Sequence, residues 1–319
     1  MTPSRIAAHK LRNTLQSILL VGVMSALCAY LAWVLGGETM AWLALAMVLV
    51  GYVFSPALSP ALVMRMFNAE PLPPDAAPRL HETVRALARR AGLKRPPALY
   101  YIPSDVMNAF STGRPGNAAV ALSDGLLRRL SLREVSAVVA HELSHVVNND
   151  TRIMAFADLT SRLTSTFSLL GQMLLLVNLP LLMLSNYHIS WLPILVLIFA
   201  PTLSALAQLA LSRSREYDAD LGAAELTGDP DALAAALEKM ERFQGHILES
   251  MFLPGQRLPD PSLLRTHPPT RERIRRLMEL KEEREFKPRQ LDPETPPAHG
   301  SPLARQPIPP RWHRTGLWY

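Results

Sequence analysis

Only one cysteine, Cys28, occurs in the 319-residue sequence. No internal disulfide can form, no cysteine-rich zinc site can be built, and the fold needs no oxidising compartment. Charge is scarce as well: charged residues make up 19% of the chain, against 49% hydrophobic residues. The scarcity is uneven, because 13–37, 40–64 and 163–212 contain no charged residue at all. A soluble domain does not distribute its polar surface in that way. Aromatic residues amount to 7% and are not interleaved with a basic stripe, so the net charge of +6 does not read as a nucleic-acid footprint.

The uncharged runs have membrane dimensions. Leu15–Leu35 is long enough to cross a bilayer and longer than the apolar core of a signal peptide. Met40–Met64 follows after a connection of only Gly36, Gly37, Glu38 and Thr39, and Pro56 and Pro60 are expected to shorten or kink its far end. Leu163–Leu184 and Trp191–Leu211 flank the polar segment Ser185–Ser190, where Tyr187 and Trp191 suit a membrane interface. These runs predict four transmembrane helices in two hairpins. For the second pair the other reading is a helical pair buried in a soluble core, which the complete absence of charge disfavours. Arg5, Lys10, Arg12, Arg65, Arg152, Arg162, Arg213 and Arg215 lie at the hairpin ends, whereas the connecting segments carry only Glu38. The positive-inside rule then puts both termini and the charged segments in the cytoplasm.

Between the hairpins the pattern is that of an aqueous α+β domain. Ala77–Ala91 is amphipathic through Leu80, Val84 and Leu87, with Gly92 as its C-cap; His81 on this helix is assigned no role. Ala98–Ile102, Val106–Thr112 and Ala118–Leu122 have strand composition, and the turn residues Gly113–Asn117 make the last two a hairpin. Leu126–Leu130 is a short helical piece leading into a longer helix that opens at Ser131. Ser131 and Glu134 have capping-box spacing there.

Leu132, Val135, Val138, Val139, Leu143 and Val146 make one face of that longer helix apolar. His141 and His145 lie four apart, one above the other on the helix surface, so two imidazoles can bind one metal ion. Glu142 is rotated away from both rings and is better placed to act on a water than to ligate. Lewis acid, water and base within one turn are the parts of a zinc hydrolase. A third ligand must come from elsewhere, and Glu216, where the fourth apolar run ends, is the best carboxylate available. The competing reading of Ser212–Asp220 is a charge cluster that merely ends a membrane span. Asp220 would share a face with Glu216 and could hold a histidine tautomer. His267, stiffened by the following proline, could donate to an oxyanion or simply face solvent at a helix entry. An amphipathic helix is expected over Arg271–Glu285, and the proline-rich stretch Lys287–Tyr319 is expected to be disordered.

Asn108–Gly113, Asn117–Leu122, His141–His145 with Asn149 and Asp150, Ser212–Asp220 and Thr266–Thr270 occur in that order. Together they resemble the HtpX family, bacterial heat-shock membrane zinc metallopeptidases related to CAAX prenyl proteases. The resemblance runs from about residue 10 to 285 and leaves the tail without a role. It implies a gluzincin-type site with one zinc ion per chain on His141, His145 and Glu216 and with Glu142 as catalytic base. It also implies quality control at the bacterial inner membrane, with misfolded membrane proteins as polypeptide substrates and other quality-control proteases as partners. Asn108, Ala109 and Phe110 would belong to an edge strand that binds extended substrate. The expected organisation is a membrane hairpin over 1–64, the first part of a cytoplasmic zinc peptidase domain over 65–162, a second hairpin over 163–211, the rest of the domain over 212–286, and the tail over 287–319. Two alternatives remain at this stage. One is an inactive zinc-binding membrane scaffold, which would need a fourth protein ligand such as His267. The other is a prenyl-protein endoprotease, for which four spans are too few.

Overall fold

The computed structural model describes residues 3–54, 60–184, 190–251 and 269–283. His267, Ser185–Ile189 and the 287–319 tail lie outside the described residues. The helices are α1 (Pro3–Phe54), α2 (Pro60–Met66), α3 (Pro78–Arg90), α4 (Asp124–Arg129), α5 (Leu132–Val147), α6 (Asp150–Leu184), α7 (Trp191–Thr227), α8 (Pro230–Met251) and α9 (Thr270–Glu283). The strands are β1 (Glu70–Pro71), β2 (Ala98–Ile102), β3 (Ala109–Arg114) and β4 (Asn117–Ser123). The protein is mostly helical with one small mixed sheet, and its chain divides into two compact units whose boundaries fall inside α5 and α7.

The first unit draws its described residues from Met1–Ser59, Ser144–Gly222 and Leu258–Arg284. Among the described residues three helices are long and apolar enough to cross a membrane, with candidate spans Thr14–Gly51, Asp150–Leu184 and Trp191–Thr227. The sequence runs predict four spans. The first, Leu15–Leu35, and the part of the second up to Phe54 fall within α1, while the end of the second, Pro60–Met64, opens α2; α1 is broken at Gly36 (φ −147°, ψ 19°) and Gly37 (φ 70°, ψ −159°). Gly37 occupies a backbone region essentially restricted to glycine. Met24 clusters with Ala157, while a Cβ on Gly51 would meet Leu159 Cδ2 at 2.6 Å. A straight helix would hold positions 24 and 51 about 40 Å apart, yet both meet the same stretch of α6. The two limbs of α1 therefore fold back on each other at the glycine pair.

Between α6 and α7 the seam is polar and close. Ser161 Oγ donates to Gln208 Oε1 (2.8 Å) and lies 3.0 Å from Ser204 Oγ. Ser168 Oγ donates to the Ile198 carbonyl at 3.2 Å, and a Cβ on Gly171 would stand 2.6 Å from Leu197 Cβ. Leu169, Leu170, Met173, Leu176, Phe199 and Leu203 face outward. Small and hydroxylated residues inside with leucine outside is how helices pack in lipid.

The second unit draws on Pro60–Leu143 and Ala223–Arg257. Its sheet has the order β1-β2-β4-β3, with β2 and β4 parallel and both outer pairs antiparallel. β2 has the predicted bounds. β3 starts at Ala109 rather than Val106: Asn108 still accepts a backbone bond from the Ser123 N–H (3.0 Å), but its own N–H donates to Ser123 Oγ (2.8 Å) instead of to a carbonyl of the ladder. The predicted hairpin forms, with Arg114 opposite Asn117 and Gly116 at φ 92°. Gly92, at φ 74°, caps α3 as predicted. His81 is not idle, since its Nε2 lies 2.9 Å from the Leu72 carbonyl and fastens the approach to α3. β1, only two residues long, has no periodicity that a sequence could announce.

Candidate metal centre

The capping box at the start of α5 forms in both directions: the Ser131 N–H donates to Glu134 Oε2 (2.8 Å) and the Glu134 N–H to Ser131 Oγ (3.3 Å). Helix α5 is thereby registered so that His141, Glu142 and His145 lie about 2.5 to 3.6 turns beyond Leu132. His141 is buried and His145 half-buried.

Glu216 on α7 meets these histidines. Donor atoms of His141, His145 and Glu216 all lie within 4.8 Å of one another, and His145 Nε2 stands 3.6 Å from Glu216 Oε1. Metal–ligand bonds of about 2.1 Å in tetrahedral geometry require donors about 3.4 Å apart. Two imidazole nitrogens and a carboxylate oxygen at this spacing fit a zinc-class ion. Close helix approach contributes, because a Cβ on Gly222 of α7 would collide with the Ser144 hydroxyl of α5.

The ring of His145 is oriented from its other side. Its Nδ1 lies 2.8 Å from Asp150 Oδ2, which leaves Nε2 with its lone pair toward Glu216. Asp150 reaches the ring because the chain breaks at Asn149 (φ 56°) and restarts with Asp150 as the first residue of α6. Asp220 accepts two hydrogen bonds from Arg273, from Nε at 2.9 Å and from Nη2 at 2.6 Å. Arg273 Nη1 also stands 3.3 Å from Glu216 Oε2, so one buried guanidinium compensates two carboxylates of α7.

Glu142 is half-buried beside the donors, and its carbonyl accepts a hydrogen bond from Ser111 Oγ of β3 at 3.0 Å. That bond ties β3 to α5 at Glu142. Ala109 and Phe110 lie on this strand and Asn108 just before it; Asn108 Oδ1 is buried and makes no hydrogen bond.

Sequence reasoning gave no role to Asp150 or Arg273. An αL-tolerant asparagine followed by an acid is a helix-break signal that could have pointed to Asp150. No signal marks Arg273, which is one arginine among several on a charged amphipathic helix.

Comparison with known proteins finds one family model, named relatives and a solved structure. Residues 74–281 match the model of Peptidase family M48. The protein named Protease HtpX homolog from Methylibium petroleiphilum is 36% identical over 291 residues, covering 84% of this chain and 98% of the relative. The protein of the same name from Persephonella marina is 35% identical over 286 residues, covering 84% of this chain and 97% of the relative. The crystal structure of S. mikatae Ste24p aligns with a TM-score of 0.46 at 20% identity, over 85% of this chain and 66% of that one.

Proposed function

This chain belongs to peptidase family M48 as an HtpX-like membrane metallopeptidase, and from that premise we propose a zinc-dependent endopeptidase that cuts misfolded membrane polypeptides at the cytoplasmic face of a bacterial inner membrane. The observation that carries the reading is the convergence of His141, His145 and Glu216 one residue from Glu142. The three side chains hold one zinc ion per chain in a gluzincin-type arrangement. When bound, zinc supplies a Lewis acid that polarises the scissile carbonyl and makes water more acidic. Glu142 takes the proton of the attacking water, and the same carboxyl returns it to the amine as the C–N bond breaks. Asp150 and Asp220 hold the ligand set in place, and His267 donates to the developing oxyanion. Substrate lies extended along β3, where Asn108, Ala109 and Phe110 offer an edge for strand addition.

Four spans in two hairpins, 1–64 and 163–211, carry peptidase segments 65–162 and 212–286. The reversal at Gly36–Gly37 supports the first hairpin, and the arginines at the hairpin ends support the cytoplasmic orientation. The enzyme serves the stress response beside other quality-control proteases.

The test is Glu142→Gln in purified full-length protein. The variant should retain metal at wild-type stoichiometry and lose cleavage of an unfolded polypeptide by about 100- to 10,000-fold. Cleavage at the wild-type rate would overturn the assignment of the base, and wild-type protein that holds zinc but cleaves nothing would support a scaffold instead.

A further inference from the structure

Inside the first unit a line of buried polar side chains runs from His145 to the first apolar limb. Asp150 uses both carboxylate oxygens: Oδ2 faces His145 Nδ1 at 2.8 Å, and Oδ1 accepts from Arg215 Nη1 at 3.4 Å. Arg215 extends a second arm, Nη2, which donates to Ser17 Oγ at 2.6 Å and pairs with Asp218 Oδ2 at 3.1 Å. Asp150 is 3% exposed, Ser17 6% and Arg215 7%. Ser17 lies within the candidate span Thr14–Gly51, where a polar side chain faces the bundle interior.

Two physical points give this line a task beyond packing. A buried carboxylate and guanidinium are costly, and well-packed apolar residues would stabilise the fold as well or better. A carboxylate held at only one oxygen can also rotate, whereas one held at both has a fixed plane. The ring it bonds is then fixed too.

We propose that Asp150 and Arg215 are positioning residues that set the tautomer and orientation of His145, and that Ser17 on α1 completes their geometry. Metal affinity then depends on how the first apolar limb packs against α6 and α7. The inference rests on the reading of His145 as a metal ligand. It deepens that reading by making the membrane hairpin part of the metal site.

The test uses the full chain in detergent, loaded with cobalt(II) in place of zinc. Visible absorption reports coordination geometry, chelator competition reports affinity, and thermal unfolding of the metal-free protein is recorded in parallel. Asp150→Asn should weaken binding about 10- to 100-fold and shift the cobalt spectrum. Arg215→Lys, which keeps the charge but loses the two-armed fork, should weaken it several-fold, and Ser17→Ala less. Ser17→Thr should restore wild-type affinity. Lowered metal-free stability, with affinity and cobalt spectrum of the folded protein unchanged in Asp150→Asn and Ser17→Ala, would reduce the line to packing and overturn the inference alone. Undiminished binding in His145→Ala would remove the metal-ligand reading and the inference with it.

Discussion

Helix α6 buries Thr160, Thr164, Ser168 and Asn178 and turns Leu169, Leu170, Met173 and Leu176 outward. Helix α3 does the opposite, burying Leu80, Val84 and Leu87 and exposing Arg79, Arg85, Arg89 and Arg90. The first unit is built for an apolar surrounding and the second for water. One ion-pair cluster from each unit differs in the same sense. Arg273 with Glu216 and Asp220 is almost wholly buried, whereas Arg133, opposite Asp229, has a side chain 62% exposed. Buried charges of the first unit, Arg273 with Asp220 and Arg215 with Asp150, gather beside the candidate metal donors. A fold stabilised by burial alone would not place them there.

The largest effect should come from breaking the buried pair. Arg273→Met strands two acids and should cost about 3–5 kcal/mol, read from unfolding of the detergent-solubilised, metal-free protein. In the second unit Arg133→Met is the control, expected to change stability by no more than about 1 kcal/mol. Equal losses in the two variants would erase the contrast.

Next in size is a charge placed on the outer face of α6. Leu176 is 63% exposed, so in an aqueous protein Leu176→Lys would be harmless. In a membrane it should cost about 2.5–3.5 kcal/mol of insertion free energy, measured as the fraction of helix inserted in a translocation assay. Insertion at the leucine level would contradict the reading of α6 as a lipid-facing helix.

Gly37→Ala forces a side chain into glycine-only backbone and should destabilise the first unit by about 1–3 kcal/mol. The same unfolding measurement checks it. No change would mean that the reversal can be made with ordinary backbone.

The smallest effect is a pH dependence at the start of α5. Burial pushes the Glu134 carboxyl up, but the Lys239 ammonium at 2.8 Å and the Ser131 N–H and hydroxyl outweigh it and hold the group below its ordinary value. The folded carboxyl ionises more readily than the unfolded one. Its stabilisation is therefore complete above the unfolded pKa of about 4.3 and is lost as pH falls through the lower folded value. Lys239→Met should move that loss to higher pH, seen as earlier hydrogen exchange in the first turn of α5 on acidification. Identical acid profiles would show that Lys239 does not hold the carboxyl.

How much was legible in the sequence follows from how local each cause is. The bounds of β2, the β3–β4 turn, the Gly92 cap and the capping box all depend on residues a few positions apart, and each appears as read. The apolar runs were legible because lipid demands length without charge. The pairing of His145 with Asp150 was hidden, because it depends on a left-handed residue at Asn149 that turns a continuous helical pattern into two helices. Arg273 was hidden for a different reason. Its partners lie on another helix, and nothing in the spacing of α9 separates the buried arginine from its exposed neighbours.

Among the described residues the six-residue strand β3 ends the sheet, and its outer side presents amides and carbonyls rather than side chains. Such an edge is indifferent to amino-acid identity, because pairing there asks only that the visiting chain be extended. A folded protein has its strands already paired and its loops too short to lie flat, so it has nothing to offer. On the proposed substrate path along this edge, discrimination falls on the state of the client rather than on its sequence, and cleavage sites should share disorder more than any residue motif.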